Sequence, residues 1–142
     1  MRKHLPVLLD AFQTHQPGAG TISENLAAIA EALIHYYEPL LPMSASYLAD
    51  TELLERYREA IRPLNAGPQH LLTRVASSIE EEQRLGRLEK RIAPETIATL
   101  LLGPCFQRAF MMQLPGHDPL NKTDQQFAEE LVQGLLAGIR PD

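Results

Sequence analysis

The sequence predicts an all-α protein, a bundle of several helices that pack orthogonally. Apolar residues recur at intervals of three and four along most of the chain, which is the period of an amphipathic helix. No segment of useful length shows the alternation of apolar and polar residues that a half-buried strand requires. The chain has 142 residues, which is the size of one domain. We therefore interpret residues 1–142 as a single domain.

The first predicted helix covers about residues 3–12, and a loop follows at 16–20. Its apolar side comprises Leu5, Leu8, Leu9 and Phe12. A second helix is expected from about Ser23. Thr21 and Glu24 have the spacing of a capping box, in which each side chain binds the other's backbone amide. The apolar stripe of this helix comprises Ile22, Leu26, Ile29, Leu33 and Tyr36.

Two prolines, Pro39 and Pro42, are expected to end the second helix, because proline lacks the N–H that a helix interior needs. A separate short segment is predicted at 44–48. Asp50 is placed to cap a third helix that stops at Ile61, before Pro63.

The fourth predicted helix opens at Asn65–Pro68, with Pro68 in its first turn, and Gly86 is expected to stop it. Its apolar stripe comprises Leu71, Leu72, Val75, Ile79 and Leu85. The fifth begins at Pro94 and ends at 114–116, and Pro104 is expected to kink it.

The last helix begins at Thr123, which again has capping-box spacing, here with Gln126. It continues to Ile139. Both this helix and the fifth are apolar over most of their circumference, the fifth through the stretch IATLLLGPCFQRAFMM at 97–112. Such helices are buried on two sides. Either the fifth is the central helix of a monomer, or a second chain packs on it.

The chain resembles the C-terminal half of TetR-family transcriptional regulators. The resemblance lies in GRLEKRIAPETIATLLLGPCFQRAFM, then the linker PGHDPLNKTD, then QQFAEELVQGLLAGIRPD. It is clearest over residues 85–142. It implies that the last two helices pair with their copies in a second subunit as an intersubunit four-helix bundle. The predicted dimer interface comprises Ile97, Leu101, Phe127, Leu131, Gly134, Leu135 and Gly138.

The resemblance also implies an effector pocket within one subunit, formed by the second, fourth and fifth helices. Aromatic and methionine walls with a few polar groups are typical of small-molecule pockets. The predicted lining residues are His35, Tyr36, His70, Arg74, Phe106, Gln107, Phe110 and Met111. We expect a small apolar or aromatic effector. Its binding would be coupled allosterically to operator binding by the regulator's helix-turn-helix domain.

The family begins with a basic helix-turn-helix domain, for which these 142 residues have no room. The formal net charge is −5, and no Lys or Arg occurs from residue 4 to residue 55. Nucleic-acid binding needs cations that displace counterions from phosphates. DNA is therefore expected as a partner only through a missing N-terminal domain, either removed or naturally absent.

Catalytic and metal-binding motifs are not found in the sequence, so neither an enzyme nor a cofactor is expected. The five histidines include no pair at helical ligand spacing, which predicts no metal site. The single cysteine, Cys105, is predicted to be a buried inert thiol. No segment predicts a membrane span, and a cytoplasmic location is expected. Two other hypotheses remain open: a helical protein-interaction module without a small-molecule ligand, and a small helical enzyme.

Overall fold

The computed structural model of the chain describes residues 4–64 and 67–139, with side chains from residue 8 onward. Within these ranges every regular element is helical, which confirms the all-α prediction. The α-helices are α1 (His4–Thr14), α2 (Ile22–Leu48), α3 (Thr51–Ile61), α4 (Pro68–Arg84), α5 (Pro94–Gln113) and α6 (Asp124–Ile139). A single 3-10 turn, Arg62–Leu64, follows α3. The predictions for Leu5 as a core side chain and for Asn65 at the start of the fourth helix fall outside the described residues.

The starts of the helices follow the predicted capping residues. Before α6, the Gln126 amide donates to Thr123 Oγ1 at 3.1 Å, and the Thr123 amide donates to Gln126 Oε1 at 3.0 Å. Asp50 accepts two backbone amides of α3 through its carboxylate. Before α2, Thr21 accepts the Glu24 amide at 3.1 Å, but within the described residues the Glu24 side chain does not bind the Thr21 amide, so only half of the predicted capping box forms. These bonds satisfy amides that have no partner within the helix.

The end of α4 also follows the sequence. Gly86 has a φ of +79°, a left-handed conformation that glycine adopts without a steric penalty. Its amide donates to the Gln83 carbonyl at 3.0 Å, and the Arg87 amide donates to the Glu82 carbonyl at 2.9 Å. This pair of bonds is the Schellman motif, so the predicted stop at Gly86 is confirmed.

The prolines of α2 do not end the helix, and that prediction was wrong. α2 continues through Pro39 and Pro42, and the segment predicted separately at 44–48 is its last part. In a regular helix the amide at position 42 would donate to the carbonyl of Glu38, and proline has no amide hydrogen. The side-chain amide of Gln113, on α5, donates to that carbonyl instead. A contact between distant residues thus replaces the missing helical bond.

The N-terminal half of α2 is the centre of the fold, where it packs against α1, α5 and α6. Its side chains are buried around most of the circumference, including Leu26, Ile29, Ala30, Ala32, Leu33 and Ile34. α4 covers α5 through Leu71, Val75 and Ile79. The central helix is therefore α2, and not α5.

Within the chain, α5 is buried on one face only. That face comprises Ile97, Ala98, Leu101, Leu102, Cys105, Arg108 and Ala109. The opposite face carries Leu100, Phe106 and Phe110, which are 48%, 44% and 44% exposed. Burial of α5 on two sides, as the sequence predicts, would therefore require a second chain.

The C-terminal half of α2 and α3 form a helical hairpin that adds no fully buried side chain to the core, although Tyr36 and Tyr37 pack against it. From residue 35 to residue 64 every described side chain is half-buried or exposed. The rings of Tyr47 and Tyr57 stack with centroids 4.5 Å apart and hold the two helices together.

Candidate functional site

An aromatic patch lies where the middle of α2 meets α5. It consists of Tyr36, Tyr37 and Phe106. The ring centroids of the two tyrosines are 5.8 Å apart, and those of Tyr37 and Phe106 are 5.4 Å apart, both edge to face. Within the described residues, neither tyrosine hydroxyl has a hydrogen-bond partner. The patch therefore offers both an apolar wall and two unused polar groups to a ligand or to water.

Burial raises the pKa of Tyr37 well above its usual value, and the neighbouring Cys105 and Tyr36 raise it further. The pKa of Tyr36 is also raised, mainly by burial and then by Tyr57. Both phenols are therefore neutral at physiological pH. They can donate a hydrogen bond, but they cannot supply a negative charge to a ligand.

A polar cluster lies on the same turn of α2. We call it the His35 cluster, and it consists of His35, Glu38 and Asp124. Each residue has one ligand atom within 4.8 Å of those of the other two. His35 Nε2 lies 3.6 Å from Asp124 Oδ2. Because His35 and Glu38 are three residues apart in a helix, their side chains share one face, and α6 brings its first residue to that face.

Arg108 forms the support beneath this cluster, and its side chain is only 4% exposed. Nε donates to Asp124 Oδ1 at 2.9 Å, one terminal nitrogen donates to Asp118 Oδ2 at 2.7 Å, and the other donates to the Lys122 carbonyl at 2.6 Å. Its guanidinium carbon also lies 5.1 Å from the ring centroid of Phe127. A buried cation needs such partners, and here they fix the linker and the start of α6 to α5.

The carboxylate of Asp118 is stabilised in its charged form. Hydrogen bonds from the Lys122 amide, the Arg108 guanidinium and the Leu120 amide lower its pKa to about 2. For Arg108, burial lowers the pKa, but the bonds to Asp118 and Asp124 outweigh burial and raise it. This group is therefore an ion pair at every physiological pH, and it acts as a structural anchor.

A second buried ion pair lies between the α1–α2 loop and the end of α4. Glu82, with its side chain 4% exposed, accepts from Arg87 at 3.0 Å and from the Gly18 amide at 2.8 Å. Arg87 also donates to the Gly20 carbonyl at 2.6 Å. Nearby, Asn25 donates to the Ala19 carbonyl at 2.6 Å. Every charge here has a partner, so the group has a structural role.

The eight predicted effector-binding residues do not form one enclosed pocket. His35, Tyr36 and Phe106 belong to the patch and its neighbouring cluster. Gln107 and Phe110 are exposed, and Met111 and His70 are half-buried. Arg74 is exposed and lies over the ring of Phe12, 5.0 Å from its centroid, so it faces α1.

Two open concavities of the described surface lie elsewhere. One, of about 360 Å³, runs between α2 and α6, with Glu31, Gln125 and Glu129 in its wall. The other, of about 380 Å³, lies beside Asn121 and Gln126. The cavity beside Asn121 has a polar wall and the one between α2 and α6 a mixed wall, and neither is lined by any of the eight predicted effector-binding residues.

The predicted dimer-interface residues fall into two groups. Ile97 and Leu101 are completely buried in the core of the single chain. The five residues on α6 instead share one side of that helix, next to its buried stripe: Phe127, Leu131 and Leu135 are half-buried, and Gly134 and Gly138 are exposed. The α6 residues are thus accessible to a partner, and the accessible part of α5 is its Leu100–Phe110 face.

Sequence reasoning missed Glu38, Asp124, Arg108 and Gln113. Arg108 had a signal, since it is the one cation within the apolar stretch 97–112 and an acidic linker follows. Glu38 and Asp124 are far apart in the chain, and each resembles an ordinary surface carboxylate in its own segment.

Cys105 is buried, as expected, and its thiol lies 3.5 Å from the Ala30 carbonyl oxygen. Burial raises its pKa to about 12. The thiol is therefore protonated at neutral pH, which makes it a poor nucleophile.

No protein-family model, curated protein or solved structure matches the chain. The TetR resemblance therefore remains a prediction. Among residues 4–64 and 67–139, no helix is long and apolar enough to cross a membrane.

Proposed function

We propose that the chain is the effector-binding and dimerisation domain of a TetR-like transcriptional repressor, and that it forms a two-fold homodimer through α5 and α6. The observation that carries the proposal is a pair of large apolar side chains on α5, Leu100 and Phe110, that the rest of the described chain leaves nearly half exposed. Both lie away from the buried face of that helix. Large apolar side chains exposed on the same face of a helix are typical of an interface.

The helix glycines support the same surface. A Cβ added at Gly103, Gly134 or Gly138 would meet no atom within 4 Å. Packing within the chain therefore does not require glycine at these positions, although glycine destabilises a helix interior by about 1 kcal/mol relative to alanine. If the backbone of a second chain approached closely at these positions, only glycine would leave room for it. Since α5 and α6 contact each other, one partner can cover both helices.

The effector would bind at the aromatic patch. Tyr37 and Phe106 supply an apolar wall, and the two tyrosine hydroxyls supply donors that nothing in the described chain uses. A mostly aromatic ligand with one hydrogen-bond acceptor fits this chemistry. Ligand binding would favour one arrangement of α2 against α5. Operator DNA would be contacted by a helix-turn-helix domain outside these 142 residues.

The proposal is tested by light scattering, followed by a ligand screen. We expect a homodimer at micromolar concentration, and a rise in melting temperature with aromatic compounds that Phe106→Ala abolishes. A monomer would remove the dimerisation proposal. The alternative, an interaction module for a different protein, predicts a monomer that responds to no small molecule.

A further inference from the structure

We propose that the His35 cluster binds a divalent transition metal ion, for which Zn²⁺ is the best-suited probe. This site is separate from the proposed effector-binding patch, and it does not depend on the chain being a regulator. The ligand set is one imidazole nitrogen and two carboxylate oxygens. Zinc accepts these ligands, and sites with three protein ligands keep a fourth position for water. Mg²⁺ and Ca²⁺ prefer oxygen ligands, so a site that includes an imidazole nitrogen suits them poorly.

The distances are close to those that a tetrahedral site requires. With metal–ligand bonds near 2.1 Å, two ligands of a tetrahedral zinc ion lie about 3.4 Å apart. His35 Nε2 and Asp124 Oδ2 are 3.6 Å apart, and all three ligand atoms fall within 4.8 Å of one another. In the proposed site, the side chain of Glu38 rotates to bring its carboxylate to the third ligand position.

The two oxygens of Asp124 have different neighbours, and this division favours a metal. Oδ1 accepts from Arg108 at 2.9 Å, and Oδ2 is the oxygen that faces His35. Arg108 therefore orients the carboxylate from behind, as the outer-shell partners of metal ligands commonly do. The oxygen that would bind the ion is fixed in place before the ion arrives.

The charges around the cluster also favour a cation. Glu38, Asp124 and Asp118 are three carboxylates, and Arg108 is the one guanidinium that pairs with any of them. The carboxylates therefore outnumber the guanidinium by two. Within the described residues the Glu38 carboxylate has no hydrogen-bond or ion-pair partner. A divalent ion would balance this group.

The cluster is accessible from solvent. The side chains of His35 and Asp124 are 41% and 21% exposed. An ion can therefore enter without unfolding of the chain, and water can complete its coordination. The site should exchange its metal readily, unlike the closed four-ligand sites that hold zinc structurally.

The test uses the full chain, without a histidine tag and after treatment with a chelator, titrated with ZnCl₂ by calorimetry. We expect saturable binding of one Zn²⁺ per chain. His35→Gln and Glu38→Gln should each weaken this binding at least about tenfold, since each removes a metal ligand. Matched controls are Glu31→Gln, on the same helix, and His70→Gln, both of which should bind as the wild type does. Asp124 is not substituted, because it also holds Arg108.

Two further measurements make the result decisive. Co²⁺ should give visible absorption bands with the wild type and both controls, and these should be lost in His35→Gln. Zn²⁺ should raise the melting temperature of the wild type and of neither cluster variant. Far-UV circular dichroism without metal checks that the variants are folded. Absence of saturable Zn²⁺ binding would overturn the proposal and leave a His35–Asp124 ion pair. The proposal would also be overturned if His35→Gln and Glu38→Gln bound Zn²⁺ as tightly as the wild type does.

Discussion

The side-chain amide of Gln113 donates a hydrogen bond to the backbone carbonyl of Glu38. That carbonyl lies four residues before Pro42, so it is the one that the proline leaves without a helical partner. Gln113 of α5 therefore supplies the hydrogen bond that Pro42 of α2 cannot donate. This contact gives the orphaned carbonyl a partner at the point where α2 passes through Pro42.

This hydrogen bond predicts that substitutions of Gln113 and Pro42 have coupled effects on the free energy of unfolding. Gln113→Ala should destabilise the chain by about 1 kcal/mol, because the Glu38 carbonyl loses its partner. Pro42→Ala restores a backbone N–H at position 42 and should stabilise the chain by about 2 kcal/mol. In the Pro42→Ala background, Gln113→Ala should cost much less. Urea denaturation of the four variants measures the coupling.

Gln107→Ala is the control for the first prediction, since Gln107 is an exposed glutamine of the same helix. It should leave stability unchanged in both backgrounds. Additive effects of Gln113→Ala and Pro42→Ala would mean that the Gln113 bond does not serve the proline.

The buried pair Glu82–Arg87 should contribute far more to stability than its neighbour Glu81–Arg84. Glu82→Ala leaves Arg87 and the Gly18 amide without their carboxylate, which should cost about 3 kcal/mol. Glu81→Ala removes an ion pair whose side chains are 42% and 67% exposed, and exposed pairs add little. Chemical denaturation compares the two directly. Equal losses would contradict a structural role for the Glu82 network.

The lowered pKa of Asp118 predicts that the folded chain loses stability in acid. Its pKa is about 2 in the folded chain, below the value of about 3.9 for a free aspartate. A lowered pKa stabilises the fold above the unfolded value, and that contribution is lost as the pH falls towards 2. Melting temperatures measured from pH 5 to pH 2 should therefore fall more steeply for the wild type than for Asp118→Asn.

Asp10→Asn is the control in this pH series. Asp10 is an exposed carboxyl on α1, so this variant should follow the wild type. If Asp118→Asn has the same slope as the wild type between pH 4 and pH 2, the Arg108–Asp118 pair does not supply the acid sensitivity.

Gly134→Arg should dissociate the proposed homodimer. Gly134 is exposed, with open space where a side chain would extend, so the single chain tolerates arginine, but a close second backbone does not. Gln133→Arg places the same side chain in the groove between α2 and α6 and should leave the dimer intact. Light scattering across a dilution series gives the masses. A dimer unaffected by Gly134→Arg would place the interface elsewhere.

The sequence by itself determined the all-α class and the starts of α2, α3 and α6. A capping residue acts on amides two or three positions away, so Thr21, Asp50 and Thr123 reveal these starts locally. The end of α4 is equally local, because Gly86 supplies its own left-handed backbone conformation.

The tertiary structure decided what depends on residues far apart in the chain. The carbonyl that Pro42 leaves without a helical partner is reached by Gln113, 71 positions later. The buried face of α5 is set by α2 and α4, and apolar periodicity could not choose a face in a helix that is apolar nearly all round. His35 and Asp124 are 89 positions apart, yet they lie 3.6 Å from each other. Such contacts form only when helices pack, so no local pattern in the sequence records them.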